Sequence, residues 1–301
     1  GKRVYFHFGN VGLFAYDLDG RRVWTEPLRP RPTRAGWGTA SSPALHGDRL
    51  YLVDDNEEDS SLRALDKRTG KELWRVARDE KSNWSTPFIW QHRLRTEIVT
   101  LGSGKVRAYD LEGLELWSLR GMSGITIATP FAGEELVHVS SGYVGSRQRP
   151  LYAIRPGARG DISLAPDQTS NEFIAWCHWL AAPYNPSTLL YRGTLYVLLD
   201  RGMLSAYDAT SGRPFFERER IPQGGAFTAS PWAANGKIFA LNEDGVTFVF
   251  RADERFELLH VNRLADDDMG MATPAIAGAR LLLRTSARLY CIADLPQAKR
   301  P

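Results

Sequence analysis

The chain has 301 residues, 43% of them hydrophobic and 11% aromatic, enough apolar material for a substantial core. Its 38 basic and 35 acidic side chains are spread along the length, and a formal charge of +3 without a polybasic face argues against nucleic acid as a partner. No run of about 18 to 20 apolar residues offers a transmembrane helix, and the start Gly1–Tyr5 lacks the apolar centre of a signal peptide, so the chain reads as soluble and mature. Cys177 and Cys291, without CxxC spacing, read as separate buried thiols.

One pattern recurs along the chain: Ala, one residue, Asp, a turn ending in Gly, then a large aromatic. It appears as Ala15, Asp17, Gly20 and Trp24; as Ala64, Asp66, Gly70 and Trp74; as Ala108, Asp110, Gly113 and Trp117; and as Ala206, Asp208, Gly212 and Phe216. A second marker recurs beside it, a hydroxyl residue and a Pro opening a short apolar run: Ser42-Pro43, Thr86-Pro87, Thr129-Pro130, Ser230-Pro231 and Thr273-Pro274, with Ser187-Thr188 as a weakened copy. The intervals are 44, 43, 58, 43 and 43 residues, so one repeat alone carries an insertion of about 15 residues.

A period in the low forties, built from short strands and turns, predicts an all-β fold, a β-propeller of four-stranded blades. The second repeat is the clearest: strands at 42–46, 49–53, 61–66 and 71–76, with Gly47-Asp48 and the Asp66–Gly70 turn supplying hairpin chemistry. Further blades are expected at 86–119, 129–179, 187–218 and 230–261. Residues 1–25 supply three strands without a first, and residues 272–293 three without a fourth. The expectation is one domain, residues 1–301, holding about seven repeats of an eight-bladed ring, with incomplete first and last blades and the insertion at 155–186 in the fourth repeat.

This strand order puts the Asp-to-Gly turns on one face and the blade-entry loops on the other. The entry loops place Trp37, Thr39, Asn83, Trp84, Thr126 and Phe227 near a central channel, apolar walls with hydrogen-bonding tips that suit a ligand. Loops between second and third strands add Arg147, Arg201 and the acidic run 54–59, where Asp54, Asp55 and Glu57 are hard oxygen donors without EF-hand spacing. The fourth-repeat insertion contributes Asn171 and Glu172, beside His178. Asp266 to Asp268 form a second short acidic run. Nucleophile elbows, phosphate loops and paired-histidine zinc spacings are absent from the sequence, and nothing nominates catalytic residues.

The eleven residues Ala64–Trp74 resemble the tryptophan-docking motif of pyrroloquinoline quinone (PQQ)-type propellers, and the copies at 15–24 and 108–117 are similar. The resemblance implies that Trp24, Trp74, Trp117 and Phe216 rivet blade to blade. Two functional classes come with it. Quinoprotein alcohol and sugar dehydrogenases hold the quinone with calcium on the channel axis, and their adjacent-cysteine disulfide has no counterpart here. The other class, which includes the periplasmic lipoprotein propeller that helps assemble outer-membrane barrels, uses the same blades as binding scaffolds without a cofactor. The chain resembles the second class more: a non-catalytic, monomeric, periplasmic or extracellular scaffold with no cofactor, binding a protein or small ligand through its loop-rich face. The alternative is a dehydrogenase dependent on PQQ and calcium.

Overall fold

The computed structural model describes residues 1–133, 135–264 and 268–293. Asp266 and Asp267 of the second acidic run lie outside these. Apart from one 3-10 turn at Arg34–Gly36, the regular elements among the described residues are all β-strands, gathered into seven sheets in chain order. The first sheet has three strands, Arg3–His7, Gly12–Asp17 and Arg22–Pro27. The second has four: Ala44–His46, Arg49–Asp54, Ser61–Asp66 and Glu72–Ala77. Phe88–Gln91, Thr96–Leu101, Lys105–Tyr109 and Glu115–Arg120 build the third, and Phe131–Ala132, Val137–Ser140, Leu151–Ile154 and Ile174–His178 the fourth. The fifth and sixth, opening at Leu189–Tyr191 and Trp232–Ala234, are four-stranded, and the last, opening at Ala275–Ala277, has three strands among the described residues. The chain divides into two compact units, Gly1–Tyr184 with Thr210–Gly212, and Asn185–Ala209 with Arg213–Pro301.

Each residue of the repeated pattern has a physical task. The Ala lies under the aromatic of the next strand: Ala15 pairs with Trp24, Ala64 with Trp74 and Ala108 with Trp117, each pair followed by a β-bulge. All three alanines are fully buried, so a larger side chain would lift the aromatic off its sheet. The Asp closes the turn. The Asp66 carboxylate accepts the backbone N–H of Arg68 at 3.0 Å, that of Thr69 at 2.9 Å and the Thr69 hydroxyl at 2.9 Å, and Asp17 and Asp110 each accept two backbone N–H groups in the same way. Gly70 has φ +76°, and a Cβ there would stand 2.6 Å from the Trp24 ring. The Trp24 indole N–H donates to the Lys67 carbonyl at 3.1 Å, and that of Trp74 to the Leu111 carbonyl at 3.2 Å, each reaching the turn of the following sheet.

The inner ends of the sheets are joined differently. The N–H of Ser42 donates to the Thr86 hydroxyl at 3.0 Å, Ser187 to the Ser230 hydroxyl at 2.9 Å, and Ser230 to the Thr273 hydroxyl at 2.9 Å. The hydroxyl-Pro marker is therefore a stitch between successive first strands, which explains its spacing of one repeat.

Two expectations change. Trp117 does not reach a following turn; it is 1% exposed and donates to the Glu97 carboxylate of its own sheet at 2.6 Å. Nor does the whole 155–186 insertion join the entry loops on the loop-rich face. Residues 155–173 connect the third and fourth strands of the fourth sheet, and Gly160–Asp161 adds to Glu115–Arg120 as a parallel fifth strand of the third sheet. Arg155 stands two residues after Ala153, where Asp17, Asp66, Asp110 and Asp208 stand in their repeats, and here a long excursion along the neighbouring sheet's edge takes the place of the tight turn. Across the insertion, Ala153 pairs with Trp176 before the same bulge, and a Cβ on Gly212 would lie 2.7 Å from the Trp176 ring. Phe216 meets Phe256 edge-on at 5.9 Å. Cys177 is buried, while Cys291 is exposed.

Candidate functional site

The entry loops of the first unit are built by backbone geometry that few sequences tolerate. Ala35 and Gly36 take φ values of 51° and 69°, reversing the chain in the Arg34–Gly36 turn. The Gly36 N–H donates to the Thr33 carbonyl at 2.9 Å and the Gly38 N–H to the Thr33 hydroxyl at 2.8 Å. This lifts Trp37 outward, leaving it 59% exposed, with its ring 5.7 Å from that of Trp84. Trp84 is fixed by its indole N–H on the Gly38 carbonyl and its backbone N–H on the Thr126 carbonyl, both at 2.9 Å. Arg34 takes the Ser82 hydroxyl on its backbone N–H at 3.0 Å and sets its guanidinium 6.0 Å from the Tyr143 ring centre, and Tyr143 packs on Tyr184 at 5.4 Å. The result is a patch of Trp37, Trp84, Tyr143 and Tyr184 with Arg34, the side-chain types that dominate protein-binding hot spots.

Beneath the patch lies a buried ionic network. Arg78 and Asp55 have side chains 1% and 0% exposed and form a bidentate pair at 2.8 and 2.9 Å. Asn83 also donates to Asp55, and Arg78 reaches the Thr100 and Tyr109 hydroxyls at 2.7 and 3.0 Å. Arg107 joins Glu80 to Asp79. Burial raises the Glu80 carboxyl above its usual range against the pull of Arg78 and Arg107, and burial likewise raises Asp54. The Ser82 hydroxyl, donating at 2.7 Å, holds Glu57 below the ordinary value.

The acidic run is thus committed. Asp55 has both oxygens engaged and Glu57 is tied to Ser82, so Asp54, Asp55 and Glu57 do not converge on an open position. Among the described residues no three His, Cys, Asp or Glu side chains come together as a metal site. The other expected site residues scatter. Asn83 and Thr126 are buried beneath the patch, Thr126 donating to the Gly102 carbonyl at 3.4 Å. Thr39 is half-buried, and its hydroxyl stands 2.7 Å from where a Cβ on Gly9 would be. Arg147 is exposed on the loop that Ser146 anchors to the Gly124 N–H at 3.0 Å. In the second unit Phe227 is 1% exposed and packs in the core against Phe248, while the exposed Arg201 offers its carbonyl to Arg220 at 2.9 Å.

Asn171 organises the return of the insertion: its side-chain oxygen accepts the N–H groups of Phe173 at 2.9 Å and Ile174 at 2.7 Å, and its amide donates to the Ile162 carbonyl at 3.0 Å. Glu172 is exposed beside it, and His178 is hydrogen-bonded to the Gly212 carbonyl at 2.8 Å. Neither joins the patch. Sequence reasoning missed Arg34, Tyr143 and Tyr184; the arginine stands three residues before Trp37, and the two tyrosines are brought together only by folding.

Residues 1–144 match the family model for outer membrane protein assembly factor BamB. The structure of BamB from Moraxella catarrhalis superposes with TM-score 0.69 at 13% identity, covering 94% of this chain and 79% of that one. The chain is a β-propeller that resembles this family over residues 1–144. A quinohemoprotein alcohol dehydrogenase, ADHIIG from Pseudomonas putida HK5, is similar at TM-score 0.58 and 13% identity over 94% of this chain and 61% of its own. The computationally designed Ika8 protein is similar at TM-score 0.55 and 10% identity over 97% of this chain and 94% of its own. No curated protein sequence matches the propeller. At these identities the structural likeness concerns the fold.

Proposed function

We propose that this propeller is a protein-binding scaffold of the bacterial periplasm, acting in outer-membrane protein assembly through the Trp37 patch. The observation that carries this reading is an exposed tryptophan held in place by structure rather than buried by it: Trp37 is 59% exposed and packs at a tilt against an indole whose N–H is already used. An exposed, pre-positioned aromatic with an arginine beside it loses little freedom on binding, which favours a protein partner. The match of residues 1–144 to an outer membrane protein assembly factor supports the choice of process. A monomer whose blades stand in an eight-bladed ring, with Trp24 and Trp74 as blade-to-blade rivets, is the architecture proposed with it.

The dehydrogenase reading has the likeness of fold to ADHIIG behind it. Calcium needs several open oxygen donors, and residues 54–57 do not fit one, because Asp55 is saturated by Arg78 and Asn83. The scaffold reading is therefore preferred, without a quinone. Cells lacking the chromosomal gene and supplied with the Trp37→Ala variant should show reduced outer-membrane protein levels at unchanged amounts of the propeller. Full complementation by Trp37→Ala overturns the patch, and dye reduction by alcohols or sugars with added PQQ and calcium overturns the scaffold.

A further inference from the structure

The apex of the fourth-repeat insertion forms a cavity of about 650 Å³ with the end of the Glu115–Arg120 strand, lined by Arg120, Gly121, Gln148, Asp167, Thr169 and Trp179 among others. That size is ordinary for a small-molecule site, about 300 to 1,000 Å³. Trp179 is fixed from two sides: its indole N–H donates to the Gln168 carbonyl at 3.2 Å, and Tyr152 meets its ring edge-on at 5.7 Å. With the N–H spent, the indole offers a rigid apolar surface and no donor. Gly121, at φ +101°, keeps the floor open, since a Cβ there would stand 3.0 Å from the Tyr152 hydroxyl and 3.6 Å from the Trp179 ring.

The polar side of the cavity is built as deliberately. The Ala165–Gln168 turn is closed by the Gln168 N–H on the Ala165 carbonyl at 3.2 Å, and Asp167 takes φ 64° within it. Glycine or asparagine usually fills that position, and an aspartate held there sets a carboxylate at the cavity wall. The Arg120 backbone N–H donates to the Ser163 hydroxyl at 2.8 Å, and the Arg120 guanidinium pairs with Asp161 at 2.6 Å. The rim charges thus largely compensate one another, leaving the planar amide of Gln148, the Thr169 hydroxyl and the Asp167 carboxylate as hydrogen-bonding groups facing a fixed aromatic ring.

We infer that this cavity binds one or two rings of a neutral oligosaccharide. A pyranose has an apolar face of C–H groups that packs on an indole and a rim of hydroxyls that pair with amide, hydroxyl and carboxylate side chains, which is the division of surface found here. A strongly anionic ligand would meet Asp167, and a cation would find one open carboxylate. The site shares no residue with the Trp37 patch and stands or falls independently of the scaffold reading.

The test titrates the full chain with chitohexaose, cellohexaose and maltohexaose, following tryptophan fluorescence and heat of binding. Saturable binding of at least one is expected, weakened about tenfold or more by Trp179→Ala and severalfold by Gln148→Ala or Thr169→Val, and unchanged by Trp37→Ala. The Gln148 and Thr169 variants, which remove no core contact, decide the matter if Trp179→Ala fails to fold. No saturable binding of any of the three sugars, or binding that survives the Gln148 and Thr169 changes intact, overturns the assignment.

Discussion

Trp74 and Trp117 occupy the same place in their repeats, opposite an alanine and before a bulge, yet their indoles do different things. Trp74 is half-buried and donates to the Leu111 carbonyl in the turn of the following sheet, where a Cβ on Gly113 would come within 3.2 Å of its ring. Trp117 faces the fourth repeat, in which the tight turn is replaced by the insertion. The added strand Gly160–Asp161 covers the edge and buries the indole, whose N–H then needs an acceptor inside its own sheet. Glu97 supplies it, and as a fully buried carboxyl group Glu97 in turn needs further polar partners: Arg95 donates to it at 2.7 Å and His92 is hydrogen-bonded to it at 2.9 Å. Replacing one turn thus converts a joint between sheets into a buried polar cluster within one.

The largest effect that sharpens this contrast is Trp117→Ala, which removes a fully buried indole and one donor to Glu97. It should cost about 3–5 kcal/mol, read as a lower midpoint in urea unfolding. Trp74→Ala, at a half-buried site, should cost about 2–3 kcal/mol. An equal loss from both variants would break the distinction. Gly70→Ala pushes a methyl into the Trp24 ring at a positive φ and should cost about 1–3 kcal/mol, with a matching change in near-UV circular dichroism. Thr86→Val removes the acceptor of the Ser42 stitch and should cost about 1 kcal/mol; a stability unchanged from wild type would show that the inner stitch contributes nothing.

The smallest effect is a pH dependence. Burial works against the Asp66 carboxylate, but the hydroxyl and backbone N–H of Thr69 and the N–H of Arg68 outweigh it and hold its pKa below the ordinary 3.8. The folded value is the lower one, so the stabilisation is present above pH 3.8 and fades as pH falls through the folded value. The stability gap between wild type and Asp66→Ala should therefore narrow on acidification below pH 3.8. A gap that stays constant to pH 2 would mean that the turn is held by its backbone alone.

Much of this molecule was legible in one dimension. The Ala, Asp, Gly and aromatic spacing and the hydroxyl-Pro marker answer to local physics, namely a bulge that admits only a small residue, an Asx turn, a positive φ and a strand start. They therefore recur at fixed distances, and the repeat number and strand order followed from them. The candidate site was legible only in part. Trp37 and Trp84 stood out as aromatics among glycines, but Arg34, Tyr143 and Tyr184 join them through contacts between loops far apart in the chain. Asn83 and Phe227, chosen by the same reasoning, are buried supports.

By itself the sequence determined what each repeat could do with its own residues: form strands, close its turn and place an aromatic at its edge. Tertiary structure alone decided what each aromatic would meet. Trp176 found Gly212 although no turn motif precedes it, Trp117 found Glu97 instead of a turn, and the insertion settled on a neighbouring edge to enclose a cavity. The physical reason is that a turn or a bulge is specified by a few consecutive residues, whereas a buried donor takes whichever acceptor the packing of separate repeats brings within about 3 Å.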